Sequence, residues 1–560
     1  MPDKQVAQPC AAAATAACRG WRFTPQVIVF FSSACVMVLE LVAGRLTARH
    51  LGNSLYTWTT IIGVVLAGIS VGNYVGGRMA DRWRPERTLG WLFLSASVAC
   101  LGCLPLNAVV AGAAGGLDPD WQMTYPARVV LSTVIVFLLP ALLLGTVSPV
   151  TAKMAIVRGK AVGASVGSIY AWGAVGSIVG TFATGFWLIA ALGARGVVIG
   201  VAGALALLAL ALGPCRILHA LWLAALAVVF WLSQTHADQW FQAACAAGLK
   251  DGRVHIEPDG RPAFHRYRFA RDSQYQFVYV YDEGGMYGLN GGREIALDTL
   301  RHGYVDLDNP LHLEFKYERI YAALTERFLH GRRNVRAFFL GGGGYTFPRW
   351  LLKRYPGSHC DVAEIDPTVV EACHQAMGLE RDTPIRTLVA DARVVVDRMP
   401  TDQRYDLIIG DAFSDLAVPW HLTTLEFQRR LRSRLTADGV MLTNIIEDFE
   451  AGGRFLGAYV ATARKVFKHV LVYCNSPWGV APGQHNFVIL ASDRDDEFLY
   501  QDLRSLGAGG VGKSTVDGAV DFPGSLLTPD DLAELDRKSG GRILTDDDAP
   551  VENFLAPIVR

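Results

Sequence analysis

The sequence predicts an α + α/β protein: a transmembrane bundle of about seven helices, then a small β-sheet, then a doubly wound Rossmann-like domain. Three observations lead there. Between Thr24 and Gln234 the only acids are Glu40, Asp81, Glu86, Asp118 and Asp120, whereas carboxylates are plentiful beyond. Residues Arg261 to Leu300 alternate apolar and polar, with turns at Glu283-Gly284-Gly285 and Asn290-Gly291-Gly292. Finally, Asn334 to Asp366 reads as strand, glycine turn, helix, strand and acid, the first unit of a nucleotide-binding sheet.

At 560 residues the chain is too long for one ordinary domain. Its zero formal charge gives no electrostatic case for a nucleic-acid partner. The mean hydropathy of +0.25 is high for a soluble protein, and its source is the acid-poor segment. Residues 1–23, with an alanine run, read as a disordered leader, followed by a membrane domain over 24–235. Lys4, Arg19 and Arg22 precede a first apolar run too long for a signal-peptide core, so it is a retained anchor. The ten cysteines show no paired spacing and read as buried thiols, with neither a disulfide frame nor a metal site.

A helix crosses the hydrocarbon core with about 20 apolar residues. Candidate runs are Pro25–Ala48, Thr57–Ala80, Leu89–Ala114, Val129–Val150, Ala164–Leu192, Gly196–Leu212 and Ile217–Leu232, the last two being short. Small residues at spacings of three and four, such as Gly68, Gly72 and Gly76, and Gly173, Gly176 and Gly180, let helix backbones approach closely. Glu40 lies within a span, where a carboxylate faces a partner or a cavity, and Arg45 is the expected partner. Arg78, Arg82, Arg84 and Arg87 place the second connection in the cytoplasm, and Lys153, Arg158 and Lys160 do the same for the fourth. The amino terminus is then also inside. Seven crossings leave the soluble domain outside, yet its chemistry argues for the cytoplasm; the sequence does not decide.

Residues 236–260 form an amphipathic linker, and 261–333 carry the antiparallel sheet, rich in Tyr and Val. From Asn334 to Tyr500, strands and helices alternate. Apolar strands at Arg386–Val389, Tyr405–Ile409, Gly439–Ile445, His469–Tyr473 and Asn486–Ala491 enclose helices at Pro367–Ala376 and Thr424–Leu435. That is a doubly wound domain of the methyltransferase type. Its glycine turn, Gly341 to Gly344, lets backbone pass close to a ligand, although a tight turn alone needs glycine too. Glu364 sits about 20 residues on, where such folds bind a ribose hydroxyl. The Gly/Asp-rich tail, 501–560, reads as peripheral and lacks the spacing of a metal loop.

With these motifs in hand, the chain resembles bacterial proteins in which a multi-helix membrane domain is fused to a spermidine synthase-like domain. PALLLGTVSPVTAK and IYAWGAVGSIVGTFATGFWLIAALG match the membrane half of that family. The resemblance implies a polyamine-type aminopropyltransferase using decarboxylated S-adenosylmethionine, or S-adenosylmethionine itself, and releasing methylthioadenosine. In that pattern Asp272-Ser273-Gln274-Tyr275-Gln276 makes Gln276 a nucleoside residue, and Tyr317 matches the tyrosine ahead of the Gly341-Gly342-Gly343 loop. Glu364 takes the ribose hydroxyls, Asp391-Ala392 reads the adenine, and Asp411 in DLIIGDAFSD is the catalytic base. A base belongs at the end of a strand facing the cosubstrate, as Asp411 does after Leu407-Ile408-Ile409, though helix capping uses an aspartate too.

The acceptor side departs from the family. Its diamine-binding aspartate is replaced by Gly344, its second loop acid falls on Ser414 with Asp415 one residue late, and its later glutamine and tyrosine align with Asn444 and Val480. Glu318 stands where His or Gln is usual, and His421 follows Trp420 in place of small residues, either as a second titrating group beside Asp411 or as a helix-start residue. A diamine needs anions at both ends, so the expected acceptor is an amine or other nucleophile distinct from putrescine. A methyltransferase, or a non-catalytic nucleoside sensor acting on the helices, is the alternative. The remaining expectations are a multi-pass inner-membrane location in contact with the bilayer, a homodimer, and no nucleic-acid partner.

Overall fold

A computed structural model describes residues 24–51, 55–116, 125–157, 161–235, 255–256, 262–263, 267–282, 292–298, 300–413, 418–476, 483–506 and 522–555. The chain divides into two compact units, one built from the helices up to Trp240 and one dominated by Phe241–Arg560.

The first unit contains helices α1 (Pro25–Leu51), α2 (Leu55–Arg82), α3 (Pro85–Gly116), α4 (Tyr125–Gly145), α5 (Val147–Val157), α6 (Val162–Ala183), α7 (Ile189–Leu212) and α8 (Arg216–Thr235). Among the described residues, six stretches are long and apolar enough to cross a membrane. They match the first six sequence runs, with α4 and α5 counted as one and α6 extended by a π-turn at Thr184–Leu188. The seventh run, Arg216–Leu232, is shorter than a span. The small-residue spacing has a direct use. A Cβ on Gly68 would lie 2.7 Å from the Ala141 Cβ, and one on Gly76 would lie 2.6 Å from the Thr146 carbonyl oxygen, so α2 rests on the backbone around α4. Glu40 and Arg45 are both partly buried on α1.

The second unit opens with an antiparallel sheet, β1 (Tyr267–Asp272), β2 (Phe277–Asp282), β3 (Gly292–Leu297) and β4 (Leu300–Asp306), in sequential order. Val278, Val280 and Ile295 are fully buried on its inner face. Helix α9 (Lys316–Phe328) follows, and then the large sheet begins.

That sheet comprises β5 (Arg336–Leu340), β6 (His359–Glu364), β7 (Ile385–Val389), β8 (Tyr405–Gly410), β9 (Leu435–Asp448), β10 (His469–Cys474), β11 (Gln484–Ser492) and β12 (Ser525–Leu526). Its spatial order is β12-β10-β11-β9-β8-β5-β6-β7. Strands β7, β6, β5, β8 and β9 are parallel, while β11 inserts antiparallel between β9 and β10. Both faces are covered: Ala337 and Phe339 join one core and Phe338 and Leu340 the other, which is why the strands read as continuous apolar runs. The crossing helices are α10 (Thr346–Arg354), α11 (Pro367–Ala376), α12 (Ala392–Arg398), α13 (Leu425–Ser433), α14 (Arg454–Arg464) and α15 (Glu497–Ser505).

The tail departs from expectation. Over 522–555, β12 extends the sheet edge beside β10, and α16 (Pro529–Ser539) lies so close to α14 that a Cβ on Gly457 would strike the Leu535 carbonyl. Leu535, Leu544, Val551 and Leu555 are buried in the core. Few apolar residues in a polar stretch concealed this, because each is used.

Candidate active site

The site is a row of residues across the carboxyl ends of the parallel strands, where the strand order reverses between β5 and β8. Backbone hydrogen bonds stitch the row together. Ala390 N–H donates to the Glu364 carbonyl (3.1 Å), Gly341 N–H to Ala363 (2.9 Å) and Asp411 N–H to Leu340 (3.0 Å). The ladder therefore sets Asp391, Glu364, the glycine turn and Asp411 side by side. The turn itself requires glycine. Gly341 has φ +94°, and a Cβ there would lie 2.5 Å from the Asp411 carbonyl oxygen. Arg349 secures the far side of the turn, donating to the carbonyls of Gly344, Tyr345 and Met377.

Glu364 is buried at the end of β6. Its Oε2 accepts the Gly342 N–H (2.8 Å) and its Oε1 the Asp366 N–H (2.9 Å). Burial pushes its carboxyl above the usual range, and those backbone donors oppose the shift. Each oxygen keeps a lone pair for a ribose hydroxyl. The DSQYQ turn lies against the same strand end. Ser273 Oγ accepts the Tyr275 and Gln276 N–H groups (2.9 Å each) and donates to Asp366, which also caps α11 through the Thr368 N–H. Gln276 is partly buried there with its backbone locked. Its neighbour Tyr275 is exposed, and its phenol is pushed up by burial and by the charges of Asp366, Asp391 and Glu364.

Asp391 is more occupied than the sequence suggested. It is the N-cap of α12: Oδ1 accepts the N–H of Arg393 (2.9 Å) and Val394 (3.2 Å), with Ala392 opening the helix. His421 Nε2 lies 2.8 Å from Oδ2, and this bond above all holds the Asp391 carboxyl below the usual range. His421, expected on the acceptor side near Asp411, thus belongs to Asp391. Its loop is anchored by Arg393, which donates to the His421 carbonyl and pairs with Asp546 from the tail. A base amino group at Asp391 has to share Oδ2 with this imidazole.

At the other end of the row, Asp411 is not a helix cap. Asn444 Nδ2 donates to its Oδ1 (3.0 Å), as the β8–β9 pairing of Gly410 with Thr443 requires. Tyr317, expected against the nucleoside, directs its hydroxyl at Asp411. Burial raises the Asp411 carboxyl to about 6, against the lowering effect of Asn444 and Tyr317. Glu318 is buried in the first turn of α9. Its carboxyl is pushed well up by burial and by the charge of Asp411, and its Oε2 has no partner. Ser414, Asp415 and Val480 lie outside the described residues. Among the described residues, no group of three or more His, Cys, Asp or Glu side chains is arranged to hold a metal ion.

Strand order, glycine turn and the acids at successive strand ends define a Rossmann-like domain. No family model matches the chain. The chain is similar to curated polyamine aminopropyltransferases. It is 36% identical to that of Vibrio vulnificus over 110 residues, 20% of this chain and 37% of the relative. It is 25% identical to polyamine aminopropyltransferase 1 of Streptomyces coelicolor over 465 residues, 79% of each chain. An alignment of that length does not fit within residues 241–560, so the likeness includes the helical unit. The chain spans about half or less of the length of two curated relatives that it matches. A probable spermidine synthase structure from Corynebacterium glutamicum matches with 23% identity and a TM-score of 0.42, covering 50% of this chain and 98% of that one. The chain is thus similar over most of its length to a polyamine aminopropyltransferase, and apolar N-terminal helices stand ahead of its Rossmann-like domain.

Proposed function

We propose that this is a multi-pass membrane enzyme transferring an aminopropyl or related alkyl group from decarboxylated S-adenosylmethionine, or S-adenosylmethionine, to a nucleophile other than putrescine. The observation that carries this reading is Asp411: a half-buried carboxylate at the strand-order switch, beside the glycine turn and one strand from Glu364. Glu364 takes the ribose hydroxyls, and Asp391 takes the base by sharing Oδ2 with His421. The acceptor nitrogen attacks the carbon next to the sulfonium, the C–S bond breaks, and its electron pair stays on sulfur as methylthioadenosine. Asp411 accepts the proton that the nitrogen loses, and a carboxyl raised to about 6 is a better proton acceptor than an ordinary aspartate. Gly344 and Asn444 stand where the family's diamine ligands stand, which supports an altered acceptor.

Six apolar stretches long enough to span support the cytoplasmic reading, because an even number of crossings returns the chain to the face on which it started. With the arginine-rich second connection inside, residues 241–560 then lie in the cytoplasm, and Arg216–Leu232 does not cross. The deciding experiment incubates the detergent-purified chain with each donor and an amine panel, and identifies the nucleoside product. Methylthioadenosine is expected. Adenosylhomocysteine would make the protein a methyltransferase, and tight nucleoside binding without turnover a sensor.

A further inference from the structure

The surroundings of Asp411 hold more acceptor capacity than the chain itself uses. Glu318 is 5% exposed, and its Oε2 is buried without a hydrogen-bond partner. Tyr321, one turn along α9, is fully buried and its hydroxyl is likewise unpartnered. The Tyr321 ring meets that of Tyr317 edge-on at 5.6 Å, and Tyr317 in turn reaches Asp411. Neither Glu318 nor Asp411 has an ion pair among the described residues. The nearest cation in sequence, Arg319, spends its guanidinium on the carbonyls of Leu313 and Glu314. One function for Glu318 is ordinary: it occupies the third position of α9 and accepts the Phe315 N–H, as a capping glutamate does. That contact uses one oxygen. A capping glutamate normally gives its other oxygen to water, whereas here it is buried, and an unpaired buried anion is costly.

Beyond Asp411 the lining changes character. Asn444 donates to Asp411, Asn486 to Asn444 (3.1 Å) and Asn475 to Asn486 (3.2 Å), and His485 Nδ1 lies 3.3 Å from Asn475. This chain of neutral amides leads away from Asp411 across β9, β11 and the end of β10.

We infer that Glu318, Asp411 and the Tyr321 hydroxyl together bind one primary ammonium group, and that the acceptor is a monocationic amine with a neutral, polar remainder lying along the asparagine chain. A primary ammonium brings three donors, matching the three acceptors, and its charge removes the penalty of the buried pair. The inference rests on the proposed function and narrows it: Glu318 becomes a specificity-determining residue, and an amino alcohol or amino amide fits where a diamine does not.

The test is calorimetric titration of 4-amino-1-butanol, putrescine and butane-1,4-diol into the full chain in detergent, saturated with methylthioadenosine. 4-Amino-1-butanol is expected to bind at least about tenfold more tightly than putrescine, whose second ammonium meets no anion, and at least about tenfold more tightly than the diol, which lacks the charge-assisted hydrogen bonds. Glu318→Gln, which keeps an oxygen for the Phe315 N–H, should weaken both amines about tenfold or more and leave methylthioadenosine affinity unchanged. Tyr321→Phe should weaken the amines less, with the same nucleoside affinity. Putrescine binding as tightly as the amino alcohol, or more tightly, would overturn the inference by revealing a second anionic subsite. Amine affinity unmoved by Glu318→Gln would reduce Glu318 to a helix cap. Failure of methylthioadenosine to bind overturns the proposed function instead, and the same amines titrated into the ligand-free chain then test the ammonium site alone.

Discussion

The two ends of the active-site row solve the problem of a buried carboxylate differently. On the nucleoside side, Glu364 and Asp391 are held by backbone N–H groups that the fold itself supplies. On the acceptor side, Asp411 is held by side chains, and Glu318 keeps an oxygen without any donor. Carboxylates tied to the backbone are part of the sheet's architecture and are prepared before a ligand arrives. Those left short of donors gain most when a ligand supplies the missing charge. On the proposed assignment, the nucleoside half is the part tied to the sheet, and the acceptor half is where a new specificity can be built without disturbing the ladder.

Four substitutions or conditions sharpen this contrast, taken from the largest effect. Asp411→Asn should lower turnover by about a hundredfold to ten-thousandfold, the usual contribution of a general base, while methylthioadenosine affinity by calorimetry stays near wild type. Turnover that survives would move the base elsewhere. Next, Glu364→Ala should weaken methylthioadenosine by about tenfold or more, since charge-assisted hydrogen bonds are worth about 1.5–3 kcal/mol. Unchanged affinity would show that the ribose does not lie at β6.

The third is a pH effect on stability. The folded Asp411 carboxyl titrates near 6, above the unfolded value of about 3.8, so the folded state binds the extra proton between those values. Stability from this group is present at low pH and is lost as pH rises through about 6. Asp411→Asn should then stabilise the ligand-free chain at pH 7.5 by no more than about 3 kcal/mol, and the gain should vanish towards pH 4. A pH-independent difference in melting temperature would contradict the assigned burial. The smallest effect is expected of His421→Ala. It should change methylthioadenosine affinity by a few-fold, with the acceptor KM unchanged, because it removes one partner of the Asp391 carboxylate. A change confined to the acceptor KM would return His421 to the acceptor side.

Contrast by contrast, the nucleoside half was the more legible in the sequence. Glycines after one apolar run and an acid at the end of the next are local features, and strand ends follow from where apolar runs stop. Asp411 was readable for the same reason. His421 was not, because it lies 30 residues from Asp391 along the chain and only the loop between β8 and α13 brings them together. Nor were Tyr321, Asn475 and Asn486 visible, since an aromatic or amide residue carries no sign of its neighbours.

Composition by itself determined the two-part architecture, because lipid and water select opposite residue types and the selection runs over stretches of 20 residues or so. The alternation of strands and helices, the glycine turn and the acids at strand ends followed from periodicity and backbone geometry, which are short-range. The tertiary structure alone decided which side chains share a partner. It set Asn444 beside Asp411 through sheet register, gave Asp391 to His421, drew the 522–555 segment into the core, and left Glu318 buried with an unused oxygen. Those outcomes depend on contacts between residues far apart in the chain, and pairing across a sheet is fixed by packing, which no local pattern encodes.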